Sequence, residues 1–291
     1  MGRPTSWITT RPVATARQAA EALERWWGIE GEFEELPSER DRNILVRTAA
    51  GTPAFVFKVA NLSEHRAFLE CQHGAMACLA NAGVRVQEVI PSLHGDEIVG
   101  LGDPGPPWAR VLGWLPGRTL ASVSTPGPEL WTDLGATMGR SAAALLEFDH
   151  PAAHRAFQWD VLRSAFVIAR GVGDVDDPTR RATLVATLQR LRRDLEPRLP
   201  NLRRSSIHND ANDHNVLVDE PGSRVAGLLD FGDMVHSVTA QELAVAGTYA
   251  MFGRPDPWRS CARSLPGSMP HAPSPLTRST PCPAWSSPDS R

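Results

Sequence analysis

One stretch constrains this chain more than any other. In Ser206-Ile207-His208-Asn209-Asp210-Ala211-Asn212-Asp213-His214-Asn215-Val216-Leu217-Val218, a dense polar run lies between two apolar ends, and Leu228-Leu229-Asp230-Phe231-Gly232-Asp233 follows it closely. The apolar ends predict short strands, so His208–His214 is expected as a loop presented at strand ends, with Asp230 closing a buried strand. A carboxylate in that place is costly unless it holds a cation or accepts hydrogen bonds. Asn215 and Asp230 both offer oxygen, the ligand type that Mg²⁺ takes. Asp210 is then placed to accept the proton of an attacking hydroxyl. His208 is expected to shape the loop through backbone hydrogen bonds rather than to react.

A second feature is a count. Of 30 basic residues, Lys58 alone is lysine, and it sits inside the apolar run Ala54-Phe55-Val56-Phe57-Lys58-Val59-Ala60. Alternation sets it opposite Phe57 and Val59, which by itself fits a strand residue facing solvent. An ammonium on a flexible stem is also a point contact for phosphate oxygens, if it points into a cleft or finds a carboxylate.

Bulk properties exclude several classes. The 291 residues suggest two domains or lobes, and 42% apolar with 22% charged residues is ordinary for a globular chain. A net charge of −3 is too balanced for nucleic acid or an anionic membrane as the main partner. No apolar run approaches a membrane span and no secretory leader is evident, so the cytoplasm is expected. Cys71, Cys78, Cys261 and Cys282 lack zinc-type spacing; Cys71 and Cys78 fall on one helix face and read as small core residues in a reduced cytoplasm.

Along the chain, a helix over Thr15–Trp27 is stopped by Gly28. Strands are expected at Glu32–Leu36, Arg42–Thr48 and Ala54–Val59, a long helix over Ser63–Ala82, and strands near Val84–Ile90, Glu97–Leu101 and Trp108–Leu115. Leu115-Pro116-Gly117 reads as a hinge. Helices follow over Pro128–Phe148, Gln158–Arg170 and Pro178–Leu199, then short strands at Ser205–Ile207, Asn215–Val218 and Val225–Leu229. A last helix runs over Thr239–Phe252. Residues 254–291 hold nine of the 25 prolines and no Glu, Ile or Val, which predicts a disordered tail or the product of a shifted reading frame.

His208-x-Asp210-x4-Asn215 followed by Asp230-Phe231-Gly232, after a sheet-rich part with a lone strand lysine, resembles the protein-kinase-like fold. His208-Asn209-Asp210 lacks the arginine of protein-serine/threonine kinases, no Ala-Pro-Glu follows Gly232, and the loop Ser38–Asn43 has no glycine. These features resemble the aminoglycoside phosphotransferase and choline kinase group. Within it, the segments around Asn212–Val218 and Leu228–Ser237 are most similar to the hydroxylysine kinase branch and to the kinase module fused to class III aminotransferases.

The resemblance spans about residues 12–253. It implies an α+β, two-lobe fold. Residues 1–115 would form an antiparallel nucleotide-binding lobe, residues 116–253 a helical lobe, and 254–291 a tail that truncates the helical lobe. The implied activity is phosphate transfer from ATP or GTP, with Mg²⁺, to a hydroxyl of a small amine-containing acceptor such as 5-hydroxylysine. Neither nucleic acid nor membrane is an implied partner. Asp210 would be the catalytic base, and Asn215 and Asp230 the metal ligands. Lys58 would contact phosphates, oriented by Glu70, and the backbone of Gly113, Trp114 and Leu115 would receive the base. Asp213, Asp233 and His236 are candidates to face the acceptor, although Asp233 and His236 equally suit capping of the last helix. The usual glycine between His and Asp is Asn209 here. Two other readings stay open: an impaired kinase-like protein that binds nucleotide or a partner without turnover, and a zinc hydrolase built on His208, Asp210, His214, His236 and Asp230.

Overall fold

A computed structural model of the chain describes residues 16–102 and 105–252. The expected tail, with Cys261 and Cys282, lies outside them. The described residues divide into two compact units, one of residues 16–76 and 87–115, the other of residues 77–86 and 116–252.

The first unit is an antiparallel sheet with helices. Strands β1 (Glu32–Leu36), β2 (Arg42–Arg47), β3 (Pro53–Val59), β4 (Val89–Ile90), β5 (Val99–Gly102) and β6 (Gly105–Gly113) are ordered β1-β2-β3-β6-β4, with β5 also paired to β6. Helix α1 (Ala16–Trp27) buries Ala19, Leu23 and Trp27, spaced one turn apart, against Ile44, Val46, Phe57, Val59 and Val111. The Trp27 and Phe57 rings meet edge-on at 5.9 Å, and Trp27 Nε1 donates to Ile90 O at 2.9 Å. Gly28, at φ +64°, ends α1 as expected, its N–H donating to Glu24 O at 3.0 Å. The β2–β3 hairpin closes through Gly51 N–H on Thr48 O at 2.8 Å.

Because Phe57 and Val59 face α1, Lys58 is on the opposite face of β3. Its register neighbours are Asn43 on β2 and Arg110 on β6. Helix α2 (Arg66–Asn81) covers this side through Gln72 Oε1, which accepts Arg110 Nη2 at 2.6 Å. Lys58 is only 6% exposed, which excludes a solvent-facing strand lysine.

The second unit is mainly helical. It contains α3 (Pro128–Ala144), α4 (Ser164–Gly171), α5 (Pro178–Arg190) and α6 (Ala240–Met251), with α3 packed on α6. Two small antiparallel sheets carry its loops. One is ordered β10-β9-β7, from β7 (Arg118–Thr119), β9 (Val216–Val218) and β10 (Val225–Leu228); the other pairs β8 (Arg204–Ile207) with β11 (Val235–Val238). Gly117 has φ +145°, and a Cβ there would meet Val218 O at 2.9 Å. Gly117→Ala is expected to cost about 1–2 kcal/mol, read as a lower urea midpoint at constant m-value.

Several expectations change. The strand expected at Val84–Ile90 shortens to β4, because Arg85 O accepts Leu228 N at 3.0 Å and Val86 bridges Leu228, both within the second unit. The helix expected over Gln158–Arg170 is a 3₁₀ turn, Val161–Arg163, followed by α4; Asp160 caps the turn by accepting Leu162 N at 2.9 Å. The helix expected to Leu199 leaves α geometry after Arg190 and continues as a π turn, Leu191–Leu195. Pro197 follows, and its ring would clash with the carbonyl four residues back in a continued helix. Cys71 is a buried thiol as expected, but Cys78 is disulfide-bonded, so the reading of the pair as reduced core residues fails at Cys78. No helix among the described residues is long and apolar enough to cross a membrane.

Candidate active site

The polar run does form a loop between strands, from the end of β8 to the start of β9. His208 is fully buried and both its ring nitrogens are engaged. Nε2 lies 2.9 Å from Leu229 O, and Nδ1 accepts Asp210 N–H at 3.2 Å. Phe231 packs edge-on to the ring at 4.7 Å. His208 thus ties the loop to the segment carrying Asp230, the structural role expected of it. It has no nitrogen left for a metal, which removes the first ligand of the hydrolase reading.

Asn209 has φ +68°, the left-handed region that glycine enters most easily and asparagine next. The surroundings compensate for that conformation. Asn209 N–H donates to Glu242 Oε2 at 3.0 Å, its Nδ2 donates to Asp233 O at 3.1 Å, and its Oδ1 accepts Gln241 Nε2 at 2.5 Å. Gln241 in turn reaches Trp159 O at 2.7 Å and accepts Val161 N–H at 2.9 Å. Ser237 donates to Asp160 in the same buried group. Asparagine in place of the usual glycine is therefore an anchored residue.

Asp210 carries two side-chain amides. Asn212 Nδ2 donates to Oδ1 at 2.8 Å, and Asn215 Nδ2 donates to Oδ2 at 2.7 Å and to the Asp210 carbonyl at 3.0 Å. Burial pushes its carboxyl up to about 6; the Asn212 bond and His208 oppose this, while Asp233 and Asp230 add to it. Asn215 O accepts Leu229 N–H at 2.8 Å, so Asn215 and Asp230 stand at the joined ends of β9 and β10. Asp230 has φ +56° and accepts Gly232 N–H on Oδ1 at 3.1 Å. Arg155 braces the next turn, donating to Gly232 O at 2.7 Å and Met234 O at 2.9 Å.

The structure hydrogen-bonds Asp210 to Asn215 and sets Asp230 near enough for its charge to act on the Asp210 carboxyl. Asp213 and Asp233 act on the same surroundings: burial and then Asp210, Asp213 and Asp233 raise the Tyr249 hydroxyl above its usual range. His236 does not join them. On β11 it faces Ser206 in register and stacks on His154 at 4.2 Å.

In the first unit, Glu70 Oε1 accepts Arg66 Nε at 2.9 Å, an ion pair within its own helix. Gly113 N–H donates to Glu88 O at 2.7 Å, its carbonyl accepts Gln87 Nε2 at 3.2 Å, and Trp114 N–H donates to Ala54 O at 2.9 Å. Much of the expected base-binding backbone is thus engaged within the sheet unit.

Sequence reasoning passed over Arg110, Arg155, Gln241, Glu242 and Tyr249. Two carried a signal: Arg110 is a cation inside an apolar strand, and Tyr249 is the chain's one tyrosine. Glu242 is fully buried in α6, yet follows its cap closely enough to read as an ordinary first-turn acid.

Residues 32–262 match the model of the phosphotransferase enzyme family. The chain belongs to that family. The match runs past residue 253, where the resemblance read from the sequence stops. Two relatives are named hydroxylysine kinase. That of Danio rerio is 29% identical over 264 residues, covering 85% of this chain and 73% of the relative. That of Mus musculus is 28% identical over 278 residues, covering 87% and 73%. Among solved structures, a microcompartment-associated aminopropanol kinase matches with TM-score 0.67 at 19% identity, covering 87% of this chain and 80% of that one. An amicoumacin kinase in complex with AMP-PNP, Ca²⁺ and Ami matches with TM-score 0.64 at 13% identity, covering 88% and 77%. The fold of this phosphotransferase is protein-kinase-like, as expected.

Proposed function

We propose that this phosphotransferase moves the terminal phosphate of ATP or GTP to a hydroxyl of a small amine-bearing acceptor of the 5-hydroxylysine type, in the cytoplasm. The observation that carries the reading is the hydrogen-bonded group Asp210–Asn215 at the β9–β10 end that also bears Asp230. The names of the relatives support the acceptor class.

The donor set suits Mg²⁺. Asn215 turns its amide nitrogen to Asp210, which leaves its oxygen as the metal-facing atom, and Asp230 adds a carboxylate. Held by Asn215 and Asp230, the ion would neutralise charge on the phosphates. Asp210 takes the acceptor hydroxyl's proton, and its two amide partners fix the carboxylate plane toward that hydroxyl. Lys58 is the phosphate contact, a desolvated ammonium next to Arg110 in register. The base is read by the Trp114 carbonyl and the Leu115 backbone. Asp213 and Asp233 receive the acceptor's ammonium near Tyr249.

The test is a thermal shift with Mg²⁺-ATP and Mg²⁺-GTP, beside Asp230→Asn, followed by transfer to 5-hydroxylysine. A nucleotide at about 100 times its Kd is expected to stabilise the native protein by about 2.7 kcal/mol, with the shift lost in Asp230→Asn. Binding without transfer to any hydroxylated amine would leave a nucleotide-binding protein and overturn the kinase reading. No shift with either nucleotide would overturn the nucleotide site itself.

A further inference from the structure

The second unit holds another cluster of ligand-type side chains that the phosphotransfer reading does not use. Asp149 and His154 lie on the loop after α3, and His236 lies on β11. His154 Nε2 is 2.6 Å from Asp149 Oδ1, and the His154 and His236 rings stack at 4.2 Å with 22° between their planes. One ligand atom from each of the three residues lies within 4.8 Å of the others.

We propose that Asp149, His154 and His236 form a site for a transition-metal dication of the Zn²⁺ class, separate from Asn215 and Asp230. The donor set is the first argument. Two imidazoles and one carboxylate suit Zn²⁺, Co²⁺ or Ni²⁺, whereas Mg²⁺ takes oxygen and keeps water. Three protein ligands leave a fourth position for water.

Both sides of the cluster are held by local structure. The loop is pinned from within by buried His150, whose Nδ1 accepts Ala152 N–H at 3.1 Å to cap the 3₁₀ turn Pro151–Ala153. His236 is fixed by the β8–β11 ladder. The side chains of Asp149 and His154 are 69% and 47% exposed, which gives a cation an open path.

Imidazole lone pairs lie in the ring plane, so two stacked rings do not aim at one point. Coordination turns His154, the exposed ring, out of the stack and draws the ligand atoms to the ~3.3–3.5 Å spacing that bonds of about 2.0–2.2 Å require. The ion replaces the proton shared by His154 and Asp149. It ties the loop to β11, and through Arg155, the next residue, to the Gly232 and Met234 carbonyls behind Asp230.

The test uses the tag-free full chain, stripped with a chelator and titrated with Co²⁺. One equivalent is expected to give the intense visible bands of a four-coordinate centre, displaced by Zn²⁺ and unaffected by Mg²⁺. His154→Ala and His236→Ala are each expected to weaken binding about 100-fold or more, and Asp149→Asn about 10-fold. Since His154 is exposed, its variant should keep the native circular dichroism. Asp230→Asn should retain the cobalt site even though it loses nucleotide binding, which separates this proposal from the phosphotransfer reading. Absence of the bands, an unchanged titration in His154→Ala, or loss of the site in Asp230→Asn would each overturn it.

Discussion

Asp210→Ala is expected to lower the phosphate-transfer rate by about 10²–10⁴-fold while nucleotide affinity stays nearly unchanged. Under the proposed function the base acts on the acceptor, whereas Asn215 and Asp230 would hold the metal that accompanies the nucleotide. Single-turnover transfer and equilibrium nucleotide binding, measured on one preparation, separate the two. Equal turnover in the variant would remove Asp210 from the chemistry. The wild-type pH profile gives an independent check. Asp210 works only as a carboxylate, and burial raises its pKa to about 6 in the free protein. Below that value the base is protonated, so kcat/KM should climb about tenfold per pH unit and level off above it. A profile already flat from about pH 5 upward would mean an unshifted carboxylate and would contradict the assignment.

Glu242→Ala is expected to cost about 2–4 kcal/mol and to reduce activity, although the residue is placed behind the catalytic loop. Its Oε2 accepts the Asn209 N–H where the backbone is left-handed, and the side chain is 1% exposed. Truncation strands a buried donor, worth about 1–3 kcal/mol, and opens a void beside it. Glu242→Gln keeps an amide oxygen for the same N–H and should cost much less. The pair also has a pH signature. Burial raises the Glu242 carboxyl, so protonation favours the folded state. Its contribution is complete below the unfolded value of about 4.3 and is lost as pH rises through the folded pKa. Glutamine removes that slope. Urea unfolding of both variants across pH measures this directly, and equal slopes in wild type and Glu242→Gln would show that the carboxyl is not buried as described.

Much of the frame was legible because its signals are local. Alternation located β1, β2 and β3, and Gly28 ended α1 by a conformation glycine adopts freely. The elements missed are those whose partners are remote. β11 is four residues, Val235-His236-Ser237-Val238, to which the sequence pattern assigns no element because its pairing with β8 is invisible in so short a run. Val84–Val86 has a strand-like pattern, yet bonds Leu228 rather than extending β4. Cys78 looked like Cys71 in spacing and composition, and only one of them is in a disulfide.

The order of the chemistry-bearing residues, their types and their places at strand ends were set by the sequence alone, because side-chain periods of 2 and 3.6 are properties of neighbouring residues. Tertiary structure decided which of them meet. It buried Lys58 on the face away from α1, raised the Asp210 carboxyl by desolvation, and gave Asn209 a partner 33 residues away in Glu242. It also separated His236 from Asp213 and Asp233 and set it against His154. Those outcomes depend on register and on packing between distant segments, and no local pattern encodes either.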